Sequence, residues 1–230
     1  LIEDFTGQRC RNCPDAHEVI EQLQEQYPGA IVPVSIHGGS FAISKEDTYF
    51  SDNYIGLKTD EGDAYNDSWG INEWPKGVIN RRGGATKFSE WAAAVRNEVT
   101  STPAVAIELE ARVAEGELIA DVTLEPQADL KGSLQLWVLE SGIVARQTQP
   151  DGRTKQDYVH NNVFRASMNG HDGESVSLVR GIHQNFTSSI ALRWNEQERW
   201  NPENLSVVAF VYNENGVQQV ALATVAPEAN

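Results

Sequence analysis

The chemistry most evident in this sequence belongs to its only two cysteines, in the run Cys10-Arg11-Asn12-Cys13-Pro14. The run lies between a short strand candidate, residues 1–5, and a helix candidate, residues 11–27. At a helix N-terminus, unpaired N–H groups and the positive end of the dipole stabilise a thiolate. The C-x-x-C spacing leaves the first sulfur at the open end and the second one turn in, so the two can bond without disturbing the helix. Dithiol exchange needs such a pair, an accessible nucleophile with a resolving thiol beside it. Arg9 and Arg11 favour the Cys10 thiolate, while Asp4, Asp15 and Glu18 act against it. The expected disulfide is moderately oxidising, suited to oxidation or isomerisation more than to strong reduction. Two other readings use the same residues. A static bridge is one, although so small a loop restrains the unfolded chain little. A Cu(I) or Zn site of Cys10, Cys13 and His17 is the other.

The elements that must position these groups follow from periodicity. Ala16, Val19, Ile20, Leu23 and Tyr27 mark one helical face, opened by Pro14 and stopped by Pro28-Gly29. The apolar run 30–36 predicts a buried strand. Residues 37–57 are irregular. They are expected to border the Cys10 groove, with Phe41, Tyr49 or Phe50 supplying apolar surface. A helix over 62–69, a strand over 76–81 and a helix over 87–100 complete an alternating pattern of strand and helix. Beyond Pro103 the period becomes two: seven or eight short strands, separated by turn signals such as Glu115-Gly116, Asp151-Gly152 and Asn215-Gly216, predict an antiparallel sandwich. The expected division is therefore residues 1–102 and 103–230.

Trp74-Pro75 precedes a strand some sixty residues after the cysteines. This order is similar to that of thioredoxin-like proteins, in which a cis-proline faces the dithiol, and only proline makes the cis form cheap. The resemblance implies a thioredoxin-like α/β fold for residues 1–102, with a cis Pro75 near Cys10 and Cys13 and a groove bordered by Trp74, Arg11 and Phe41. Arg11-Asn12 stand where thioredoxins have Gly-Pro, and no Trp precedes Cys10, so a general reductase is not implied. A second resemblance spans nearly the whole chain. Glu3-Asp4-Phe5-Thr6-Gly7 before the cysteines, Ala16-His17 after them, Trp74-Pro75-Lys76-Gly77-Val78-Ile79-Asn80-Arg81 and His160-Asn161-Asn162-Val163-Phe164-Arg165 resemble the twenty-eight-kilodalton outer membrane protein family of Bacteroidota. That likeness implies an exported protein of the periplasm, outer membrane or cell surface. It also implies that any contact with the membrane runs through a lipid anchor upstream of Leu1.

Composition narrows the partners. Eighteen Lys and Arg against 33 Asp and Glu give a net charge of −15, spread evenly along the chain. Nucleic acids and anionic membranes select a cationic face, so neither is an expected partner. No G-x-S-x-G elbow accompanies His37-Gly38-Gly39-Ser40, which argues against a hydrolase. Asp60, Glu61, Asp63 and Asp67 suit a helix opening better than a calcium loop. His160, His171 and His183 are expected at the surface or in turns, and Trp137, Trp194 and Trp200 in the core or at the sandwich edge. Two function classes remain. One is a thiol–disulfide oxidoreductase, without a cofactor, acting on protein thiols or disulfides. The other is a surface binding or assembly module for envelope proteins, carrying a structural disulfide. Accessibility of the Cys10 sulfur separates them, because a sulfur buried under a lid favours the module.

Overall fold

The computed structural model describes residues 1–44, 55–193 and 199–226. In chain order the elements are β1 (Ile2–Thr6), α1 (Cys13–Gln26), β2 (Pro33–His37), α2 (Asp60–Ser68), β3 (Lys76–Ile79), α3 (Phe88–Glu98), β4 (Val105–Ala114), β5 (Glu117–Pro126) and β6 (Leu130–Glu140). They continue with β7 (Ile143–Thr148), β8 (Thr154–His160), β9 (Val163–Ser167), β10 (Glu174–Leu178), β11 (Gln184–Ala191), β12 (Leu205–Asn213) and β13 (Gly216–Thr224). Two compact units result: Leu1–Ser101 with Ser141–Arg165, and Thr102–Glu140 with Ala166–Asn230.

In the first unit β1 is the central strand. It runs parallel to β2, from Ile2↔Pro33 to Thr6↔His37, and antiparallel to β3, from Ile2↔Ile79 to Phe5↔Lys76. β2 also meets β9 in parallel at Ser35↔Val163. The predicted face of α1 is buried: Ala16, Ile20 and Leu23 pack with Ile2, Ile79, Trp91 and Val95. Gly77 is required here, because a Cβ would lie 2.4 Å from the Trp91 ring. The β7–β8 hairpin has the register Ile143↔His160 to Ala145↔Tyr158 and, beyond a bulge, Gln147↔Lys155. Ile143 anchors it in an apolar cluster with Leu57 and Val163.

In the second unit β10, β6, β12 and β13 lie side by side, all antiparallel. A separate sheet has the order β11-β5-β4. Every second residue of β5, namely Leu118, Ala120, Val122 and Leu124, is buried. These residues share their cores with Leu134, Leu136 and Val138 of β6 and with Val207, Ala209 and Val211 of β12.

The expected fold class, a thioredoxin-like α/β domain followed by an all-β antiparallel sandwich, is therefore corrected. The described chain is mainly strand, thirteen strands against three α-helices, and its first unit is not a contiguous α/β domain. The chain leaves that unit at Ser101 and returns with residues 141–165, which supply β7, β8 and the strand beside β2. A period of two shows that a segment is a strand, but not which sheet accepts it. That choice is made by pairing over long sequence distances, which local patterning does not encode.

Candidate functional site: an enclosed disulfide beside a buried polar cluster

Cys10 and Cys13 are bonded to each other. Cys13 is the first residue of α1 with Pro14 behind it, where a missing N–H costs nothing. The loop 7–10 that carries Cys10 is walled in. Gly7 presses on the backbone of Phe41, where a Cβ would sit 2.4 Å from the Phe41 carbonyl carbon. The Arg9 N–H donates to Phe41 O at 2.9 Å. From the other side, β7 lies along the loop: the Thr148 N–H donates to Gln8 O at 2.9 Å. The buried Gln147 amide donates to Cys10 O at 2.8 Å and Gly7 O at 3.3 Å. The Gln8 side chain donates to Ile55 O at 2.8 Å and accepts from the Leu57 N–H at 3.0 Å. Arg11, exposed, donates to Pro150 O in the hairpin turn. Cys10 is left 3% exposed and Cys13 0%.

Phe41 is 40% exposed and edge-on to Trp74 at 5.3 Å. Tyr49 and Phe50 lie outside the described residues. The Trp74 indole N–H donates to Oδ1 of buried Asn66 at 3.2 Å. The Trp74–Pro75 bond is cis, and Pro75 is buried at the head of β3.

His17 does not join the sulfurs. Its Nε2 lies 3.4 Å from Asp4 Oδ2 and 3.2 Å from Thr6 Oγ1, while Nδ1 meets Tyr158 Oη at 2.8 Å. The cysteine–His17 metal grouping is thus not formed. Among the described residues no group of three or more His, Cys, Asp and Glu is placed to hold a metal ion. The acidic opening of α2 is structural. Asp63 accepts from the Gly39 N–H at 2.7 Å and pairs with Lys58, and Thr59 caps the helix through Gly62 N at 2.9 Å.

The sequence reading missed a polar cluster inside the first unit. Tyr158 packs on His160 at 4.8 Å, and His160 meets His37 edge-on at 5.4 Å. His160, expected at the surface, is buried where β8 ends. With Ser35, His17 and Tyr158 the two imidazoles line a cavity of about 70 Å³. Burial, then the neighbouring His160, pushes His37 well below the ordinary histidine range. Burial, then His17, lowers His160 to about 3. Asp4 is pushed up by burial, with the His17 contact opposing. Burial, then Glu21, raises Tyr158 to about 12, so its phenol stays protonated and is no nucleophile. Glu3, also buried, receives Arg81 at 2.8 and 3.3 Å. The available signal was Glu3-Asp4 within an otherwise apolar strand.

Among the described residues the fold and site define a strand-rich protein that carries a buried, covered disulfide. The sequence matches the family described as Outer membrane protein Omp28 over residues 62–229, and the chain belongs to that family. The match starts after the cysteines and so is silent about them. None of the curated proteins matches the sequence. Among solved structures, HBP35 of Porphyromonas gingivalis is similar in fold at a TM-score of 0.67 and 15% identity, over 97% of this chain and 74% of that one. A domain of the outer membrane lipoprotein Omp28 from the same organism shares 21% identity over 56% of this chain and 93% of that one, with a TM-score of 0.40. The resemblance to this Bacteroidota family read from the sequence is borne out, and with it an exported, envelope-associated location. No helix among the described residues is long and apolar enough to cross a membrane.

Proposed function

We propose that this chain is an envelope binding or assembly module whose Cys10–Cys13 bridge is structural. The enclosure of both sulfurs carries this reading, with Cys10 3% and Cys13 0% exposed. An attacking thiolate must approach along the S–S axis. Here that approach is closed by the loop bearing Phe41 and by a hairpin whose Gln147 grips the Cys10 carbonyl. Partners of such a module are other envelope proteins.

A second reading is favoured by the position of the bridge at the very start of α1, where a thiolate gains from the helix dipole. In that reading the bridge exchanges with protein thiols once the β7–β8 hairpin swings away. A partner thiolate attacks the Cys10 sulfur, Cys13 leaves as the thiolate, and a second partner thiol resolves the mixed disulfide, leaving the partner oxidised and both cysteines reduced. Equilibrating the native full chain with a glutathione buffer, followed by alkylation and mass measurement, separates the two. The module reading expects a bridge that stays closed until denaturant is added. Rapid reduction under native conditions overturns it in favour of exchange.

A further inference from the structure

Strand β11 pairs with β5 over eight consecutive residues, from Gln184↔Leu124 to Ala191↔Glu117, with no break in register. Among the described residues no strand pairs with its other side. Free strand edges are normally protected by charge, proline, a bulge or shortness. The segment Gln-Asn-Phe-Thr-Ser-Ser-Ile-Ala has none of these. The opposite margin of the same sheet differs. β4 carries Glu108, Glu110 and Arg112, and the Ala226 N–H closes onto Ala111 O at 2.9 Å. Phe186 and Ile190 of β11 pack on the unit's cores but remain only partly buried. The turn leading into β11 also exposes Val179 at 49% and Ile182 at 58%, two of the six exposed large hydrophobic residues described.

We infer that β11 is a pairing edge and that its occupant is β11 of a second copy of this chain. An antiparallel pair about a two-fold axis is isologous, so one edge satisfies itself, each N–H meeting a carbonyl of its twin. Side chains alternate across a strand, so like faces continue across the junction only if the axis passes through a residue. The middle of β11 places that axis at Thr187 or Ser188. Charge argues for this surface. Two copies at −15 each repel over most approaches, and β11 is an eight-residue strip without an ionisable side chain. Val179 and Ile182 extend the strip with apolar surface at each end of the pair.

The inference names a partner for the assembly reading above and rests on it only for biological use. Sedimentation of the full chain over a concentration series is the test. The expected mass rises to twice 25.4 kDa. Ser189→Lys with Ile182→Lys, both at exposed positions, places like charges along the edge and returns the mass to one copy, with unchanged circular dichroism. Thr187→Cys, at or beside the axis, links two copies covalently under a mild added oxidant, and Glu115→Cys in the β4–β5 turn at the strand's far end, well off the axis, does not. A chain that stays single at every concentration, or a dimer untouched by the lysine pair, overturns the inference. Neither result bears on the closed bridge, and rapid native reduction of Cys10–Cys13 in a β11-paired dimer would overturn the module reading alone.

Discussion

The two units differ in how much polar chemistry they bury. The second is mainly apolar, with Leu118, Val122, Leu124, Leu134, Leu136 and Val207 shut away between strands and Gln135, Glu140 and Ser167 as its buried polar residues. The first buries Glu3, Asp4, Gln8, His37, Gln147 and His160 alongside its apolar residues. An apolar core tolerates imprecise neighbours of similar volume, whereas a buried polar group needs its partner or loses free energy. Where these groups are paired, as Glu3 with Arg81 and Gln147 with the Cys10 carbonyl, the first unit's stability rests on specific contacts.

This contrast breaks most sharply at Glu3. Glu3→Ala removes the buried carboxylate that receives Arg81 and is expected to cost about 3–5 kcal/mol, read by urea unfolding of the native chain. A loss below that of a surface ion pair would show that the first unit does not depend on paired charge. In the second unit, Leu134→Ala removes a fully buried side chain. The expected loss is about 2–5 kcal/mol from transfer and cavity terms. The core chemistry predicts little change in hydrogen exchange at Gly7–Cys10.

Gln147→Ala tests the cover. It strips amide donors from the Gly7 and Cys10 carbonyls, which remain in a buried loop. About 1–3 kcal/mol is expected from the lost donor to the Cys10 carbonyl. Faster native reduction of Cys10–Cys13 should accompany it. An unchanged reduction rate would place the barrier elsewhere than in the hairpin.

The pH dependence of unfolding sharpens the comparison further. His37 and His160 are lowered in the folded state, so the unfolded chain binds more protons below its ordinary histidine range. Stability is complete above that range and is lost as pH falls toward about 3, the value for His160. Asp4 acts with the opposite sign. Its raised pKa favours the folded state below the ordinary carboxylate range, and that contribution is lost as pH rises through the folded value. His160→Phe should flatten the acid limb, and Asp4→Asn should raise stability at neutral pH. Parallel acid limbs in the parent and His160→Phe would refute the assignment. The smallest effect belongs to the exposed pair Arg153–Asp151: Asp151→Asn is expected to change stability by at most about 0.5 kcal/mol.

Local chemistry was legible in the sequence where local rules decide it. The helix face of Ala16, Ile20 and Leu23, the stop at Pro28-Gly29, the cysteine loop at a helix start and the alternation in β5 all follow from steric and periodic constraints between near neighbours. The polar cluster was not legible, because Asp4, His17, His37 and His160 are spread over more than 150 residues and meet only when β8 returns to the first unit. His160 follows a largely exposed strand and has no local sign of burial.

By itself the sequence determined the three helices and most of the strands, though not β7 or the extent of β11, that Cys10 and Cys13 can bond across a helix start, and which family the chain belongs to. These depend on spacing and composition along the chain. Tertiary structure alone decided that residues 141–165 leave the second half to cover the bridge, that β11 ends a sheet while β4 is overlaid, and that both sulfurs are shut in. Those outcomes are choices among strand pairings of similar local merit. They are settled by the total surface buried and by the hydrogen bonds satisfied over the whole fold, quantities that no short window of sequence contains.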